Sequence, residues 1–223
     1  MKLKSSLPIL AALLLPESTF AVVPAPSNAP VTLNVTEIHG AAPAETARIV
    51  KYSLAPPERG SGDETGALHI MYSDRTQVVE YLLPRIKSPP GDFIGNESGF
   101  AQVKIAVDRR TIGWLEDYET ESSSYPQPIM LAIYSSGRAI LHLMQGQTVW
   151  YWEFQQDGRQ VVAAWGASHG PVVLDYQLYD TATGDLLGET AGEGKTQSLP
   201  GNAPAWARAA ETACGRHCRG SGR

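Results

Sequence analysis

Three stretches of the chain hold residue types that could do chemistry at close spacing. Gly166-Ala167-Ser168-His169-Gly170 has the G-x-S-x-G spacing of a nucleophile elbow, in which a strained strand-to-helix turn presents the serine hydroxyl. Asp185 and His217 follow in the order a serine triad would need. The context points elsewhere, because Pro171 leads into Val172-Val173-Leu174, a strand pattern, where the elbow requires a helix to aim the hydroxyl and build the oxyanion hole. Gly192-Glu193-Gly194-Lys195-Thr196 looks like part of a phosphate loop. However, five residues separate Gly188 from Gly194 where the motif needs four, and Ser198-Leu199-Pro200-Gly201 cannot start the helix that would hold a phosphate. Cys214-Gly215-Arg216-His217-Cys218 carries the only two cysteines. Three soft ligands could hold zinc only with a fourth from elsewhere, so Cys214 and Cys218 read first as a small disulfide loop, with free thiols and a metal site as the alternatives.

Single titratable residues add little. His39, His69, His142 and His169 are scattered, and His69 and His142 fall within strand patterns, where a satisfied sheet histidine is expected. The run Leu115-Glu116-Asp117-Tyr118-Glu119-Thr120-Glu121 places four carboxylates in six residues. It lacks the oxygen spacing and turn glycine of a calcium loop and reads as a solvated loop between strands. No catalytic, metal or cofactor-binding residue is therefore assigned, and no cofactor is implied.

The elements that would position such groups start with an export signal. Lys2 and Lys4 precede the apolar run Leu7 to Leu15, and Thr19-Phe20-Ala21 offers small residues for cleavage before Val22. An apolar core of that length falls short of the roughly 20 residues a bilayer span needs. Residues 1–21 are read as a signal peptide and 22–30, with Pro24, Pro26 and Pro30, as an extended tether. Without the signal, 16 basic residues face 22 acidic ones, a net charge of −6. That balance and the lack of a basic cluster outside the last few residues do not suit nucleic acid.

Residues 31–199 read as an all-β domain. Val31 to Thr36 alternates as a half-buried strand does, and Arg48 to Leu54 is a second candidate. Leu68 to Tyr72 and Gln77 to Leu82 flank the polar turn Ser73-Asp74-Arg75-Thr76 as a hairpin, closed by Pro84, Pro89, Pro90 and Gly91. From Phe100 onward the chain repeats. Val103, Ile105, Asp108, Arg110 and Ile112 stand 49 residues before Trp152, Phe154, Asp157, Arg159 and Val161. Ile129 to Ile140 likewise corresponds to Val172 to Leu187. In each repeat a first strand, an Asp turn, a second strand, a longer loop, a third strand, a glycine turn and a fourth strand follow one another. By this register Trp150, Trp152 and Phe154 belong to the core, with Tyr151 and Glu153 facing out.

Phe154-Gln155-Gln156-Asp157-Gly158-Arg159-Gln160-Val161-Val162-Ala163, followed by Leu178-Tyr179-Asp180-Thr181-Ala182-Thr183-Gly184, resembles the repeat of WD40-like and TolB-like β-propellers. The chain is also similar to uncharacterised exported bacterial proteins with a W-x-W-x-F strand and a His-Gly in the following loop. The resemblance spans about Phe100 to Thr190. It implies blade-like antiparallel four-stranded sheets, two or three of them, as an incomplete propeller or a sheet stack, and implies no activity. Asp108-Arg109-Arg110 departs from the pattern in lacking the turn glycine.

Residues 200–223 read as a short helix and a loose tail. Asn202-Ala203-Pro204 opens the helix, and Trp206, Ala209, Ala210 and Ala213 share the face expected to dock on the sheets. The expectation is a periplasmic or secreted binding or scaffolding module, non-enzymatic and not inserted in the membrane once the signal is removed. Its partner would be another envelope protein, met through exposed loops or strand edges. The alternative is a secreted hydrolase using Ser168 in the Gly166–Gly170 loop.

Overall fold

A computed structural model describes residues 38–59, 63–82, 86–87, 93–119, 125–168, 173–192 and 198–217. The expected signal peptide, the tether and the strand at Val31–Thr36 lie outside these residues. The described residues form an all-β fold, with three antiparallel sheets, one α-helix and a short 3-10 turn at Gln156–Gly158. The N-terminal sheet holds β1 (Ile38–His39), β2 (Ile49–Leu54), β3 (Leu68–Tyr72) and β4 (Gln77–Glu80), in the order β1-β4-β3-β2. The central sheet runs β5-β6-β7-β8-β9, formed by β5 (Ile86–Lys87), β6 (Phe93–Ile105), β7 (Thr111–Glu119), β8 (Gln127–Ser135) and β9 (Leu141–Met144). The C-terminal sheet runs β10-β11-β12-β13, formed by β10 (Thr148–Gln155), β11 (Gln160–Gly166), β12 (Asp175–Asp180) and β13 (Leu186–Ala191). The helix α1 spans Ala205–His217.

The sheets stack face to face because their strands carry apolar residues on both sides. One face of the central sheet (Ile112, Trp114, Ala132, Tyr134) packs on Ile49, Leu68, Ile70, Tyr72 and Val78 of the N-terminal sheet. Its other face (Leu115, Leu131, Ile133, Leu143) packs on Trp152, Val161, Ala163, Trp165 and Tyr179 of the C-terminal sheet. The far face of the C-terminal sheet (Tyr151, Val162, Ala164, Tyr176) is covered by Ala207, Ala210 and Cys214 of α1. A strand covered on both faces loses the alternation of burial that marks a half-wet one, and β7 and β11 are buried at nearly every position.

Among the described residues the same arrangement recurs in three sheets, one more than the sequence shows. The backbone N–H of Ser73 donates to Arg48 O, that of Ser136 to Arg110 O, and that of Thr181 to Arg159 O, at 2.9, 2.9 and 3.0 Å. Each accepting arginine precedes a second strand, and each donor directly follows a third. Tyr72, Tyr134 and Tyr179 stand opposite Ile49, Ile112 and Val161 at matching places. In the central and C-terminal sheets the second strand, β7 or β11, is flanked by a first strand, β6 or β10. In the N-terminal sheet β1 pairs instead with β4, the fourth strand, so among the described residues no strand pairs with the outer edge of β2, whose first residue, Ile49, donates its N–H to Arg109 O.

Several expectations are corrected. The acidic run Leu115 to Glu119 is strand β7, with Glu116 wholly buried, and not a solvated loop. Strand β6 begins at Phe93, before Phe100, and Ile86–Lys87 pairs with it within the stretch read as a proline-rich break. In β10 a bulge at Trp150 shifts the pairing between Val149 and Tyr151. One extra residue reverses the facing of everything before it. Trp150 is therefore half-exposed, its indole N–H donating to Ala167 O at 3.2 Å, while Tyr151 is buried under α1. On α1 the buried stripe is Ala207, Ala210 and Cys214; Ala209 is exposed and Trp206 half-buried against Gly188.

Candidate functional site

The interface between the N-terminal and central sheets contains the densest buried polar group among the described residues. On β7, Glu116 follows Ile112 and Trp114 at the alternating positions that face the N-terminal sheet. His142 on β9 sits opposite Ala132 of β8, and Glu80 ends β4 opposite Leu68. Their exposures are 0% for Glu116, 1% for His142 and 2% for Glu80. One side-chain atom from each, two carboxylate oxygens and an imidazole nitrogen, lie within 4.8 Å of one another. His142 Nε2 stands 3.1 Å from Glu116 Oε1.

Around this trio the surroundings are acidic. Tyr118 donates its hydroxyl to Glu116 Oε2 at 3.0 Å. Burial, then the charges of Glu116, Glu97 and Glu80, push the Tyr118 phenol far above its ordinary range, so three carboxylates act on one ring. Burial and the charges of Glu64 and Glu116 push the Asp117 carboxyl up to about 7. Ser98, also buried, donates its hydroxyl to Asp117 O at 3.2 Å.

The repeat shows what the scaffold alone requires at this place. Glu116 stands 49 residues before Trp165, its counterpart on β11, which fills the interface between the central and C-terminal sheets with an apolar ring. A carboxylate at the same structural position is therefore not needed for stacking two sheets. Two carboxylates and an imidazole facing one point can hold a divalent cation, or share protons among themselves.

A second feature is an open groove of about 370 Å³ at the turn end of the central and C-terminal sheets. Arg110, Arg138 and Arg159 line it, with Asp108 and Asp180. Both aspartates are engaged in their own turns. Asp108 Oδ1 accepts from the N–H groups of Arg110 and Thr111, and Asp180 Oδ1 from those of Ala182 and Thr183.

The residues singled out from sequence lie apart from the buried trio. Ser168 Oγ is 2.5 Å from Thr148 Oγ1, which bonds Gln127 Oε1 at 3.2 Å. His169 lies outside the described residues. Asp185 Oδ2 accepts from Thr183 Oγ1 at 2.8 Å in the turn before β13, and His217 ends α1. Residues 193–197 of the phosphate-loop-like stretch also lie outside them. Cys214 is buried on α1 at 1% exposure, and Cys218, its expected disulfide partner, lies outside the described residues. His142 is a buried sheet histidine as expected, but its neighbour Glu116 comes from the run read as solvent-facing. The signal available in the sequence was the alternation of Trp114, Glu116 and Tyr118, which suits a strand better than a loop.

No protein-family model, curated protein or solved structure matches the chain. Among the described residues no helix is long and apolar enough to cross a membrane.

Proposed function

We propose that the protein is an exported, non-enzymatic binding or scaffolding module, periplasmic or secreted, that takes an extended segment of another envelope protein along the edge of β2. The observation that carries this reading is the outer edge of β2. Its counterparts β7 and β11 each have a neighbouring first strand, whereas β2 has none among the described residues. Val50 to Ser53 are exposed along it, with Val50 at 52% and Tyr52 at 40%. An edge strand presents a row of backbone donors and acceptors that a partner strand can satisfy, while outward side chains select the partner. The groups here best suited to acid–base work, Glu80, Glu116 and His142, are sealed from any substrate, which favours binding over catalysis.

The test is affinity capture from the native envelope with mature protein, beside a Val50→Lys/Tyr52→Lys variant whose charges oppose edge pairing. A partner captured by the wild type should be lost from the variant, and binding should slow amide exchange at residues 50–53. Undiminished capture by the folded variant would sink the edge reading. Stoichiometric labelling by a fluorophosphonate probe, abolished by Ser168→Ala, would replace it with the hydrolase reading.

A further inference from the structure

We propose that Glu80, Glu116 and His142 form a binding site for a first-row divalent cation, with zinc as the representative ion, which clamps the N-terminal sheet to the central one.

The chemistry of the donor set points to this class of ion. Carboxylate oxygen with imidazole nitrogen suits zinc and its first-row neighbours, whereas calcium and magnesium prefer all-oxygen surroundings. Zinc bonds of about 2.0–2.1 Å in a tetrahedron set ligand atoms roughly 3.3 Å apart. His142 Nε2 and Glu116 Oε1 are already 3.1 Å apart, and the whole set lies within 4.8 Å, so side-chain adjustments of about 1.5 Å complete the contact.

Hydrogen bonding supplies the independent sign of a ligand. Glu116 is wholly buried, and its two oxygens are used differently. Oε2 accepts the Tyr118 hydroxyl, while Oε1 accepts no hydrogen bond and faces the imidazole. A ligating carboxylate held from behind by a donor, its other oxygen left for the ion, is a common outer-shell arrangement. The competing account is an ion pair between Glu116 and a protonated His142, which needs no metal.

These accounts separate by experiment. Full-length mature protein is stripped with a chelator, titrated with zinc by calorimetry, and examined by X-ray absorption at the zinc edge. The expected result is one equivalent bound per chain, nitrogen and oxygen ligands only, and a higher melting temperature with zinc. Glu116→Gln should abolish the bound equivalent. Glu80→Gln, at the edge of the trio, provides the same test if Glu116→Gln fails to fold. Tyr118→Phe, which removes only the orienting hydroxyl, should weaken zinc by roughly 10- to 100-fold. No binding to folded wild type would overturn the proposal, as would undiminished binding to a folded Glu116→Gln or Glu80→Gln variant. A sulfur ligand near 2.3 Å would overturn it too, because the ion would then belong to the cysteine tail.

Discussion

Gly113 and Trp152 meet at the seam between the central and C-terminal sheets so closely that a Cβ on Gly113 would stand 2.9 Å from Trp152 Cη2 and 2.8 Å from Ile133 Cδ1. The indole fills the space a side chain would otherwise take. Trp152 is wholly buried and stacks edge-on to Phe154 with ring centres 5.2 Å apart. Trp152→Ala should therefore cost about 3–5 kcal/mol as a large-to-small core change. Gly113→Ala should cost about 1–3 kcal/mol by overpacking the same seam. Urea unfolding of the two variants measures both, and a Trp152→Ala midpoint equal to wild type would return the tryptophan to a ligand-binding role.

The sequence shows the second and third repeats because Asp108 and Asp157 mark equivalent turns and the following strands keep one spacing. The first repeat stays hidden because Arg48 and Arg110 are 62 residues apart where Arg110 and Arg159 are 49 apart, with β5 and a β6 longer than β10 lying in the wider interval. A bulge turns Trp150 away from the face its spacing predicts, and it leaves no mark in an apolar alternation. The buried trio is less legible still. Its members come from β4, β7 and β9, and only the packing of two sheets brings Glu80 to Glu116. Charge density in the run from Glu116 to Glu121 suggests solvent, while the aromatics at Trp114 and Tyr118 suggest burial, and here tertiary context decided for burial.

Asp74 gives the hairpin turn of β3 and β4 an acid sensitivity. Its carboxylate accepts the N–H groups of Ala44 and Thr76, each at 2.9 Å, and these bonds hold its pKa below the ordinary 3.8. A carboxyl depressed in the folded state stabilises above its unfolded pKa, and that contribution is lost as pH falls through the folded value. Wild type should therefore lose more stability than Asp74→Asn between pH 6 and about pH 3. Parallel acid dependences for the two proteins would contradict this.

Arg109 occupies the turn position where the glycine expected from the repeat is missing. Its φ is +53°, in the left-handed region, and Gly158 takes +94° in the corresponding turn of the C-terminal sheet. A non-glycine residue pays for that conformation through crowding of its Cβ. Arg109 is exposed, and its carbonyl, which accepts Ile49 N–H at 2.7 Å, is kept by any substitution. Arg109→Gly should raise stability by about 0.5–1 kcal/mol despite the added freedom of the unfolded chain. A lower melting temperature would show that the arginine side chain contributes more than its backbone strain costs.

The face by which α1 docks can be decided by two alanines two residues apart. Reading the helix around Trp206 puts Ala209 toward the sheets, but Ala207, Ala210 and Cys214 instead form the buried stripe against Tyr151, Val162, Ala164 and Tyr176. The stripe follows helical spacing of three and four, and small residues let the helix lie close to the strands. Ala207→Asp places an unpaired carboxylate in that contact and should cost about 3–5 kcal/mol. Ala209→Asp, on the exposed side, should change stability by no more than about 0.5 kcal/mol. Thermal unfolding of the two variants gives opposite orders for the two faces, so a larger loss from Ala209→Asp would rotate the helix about its axis.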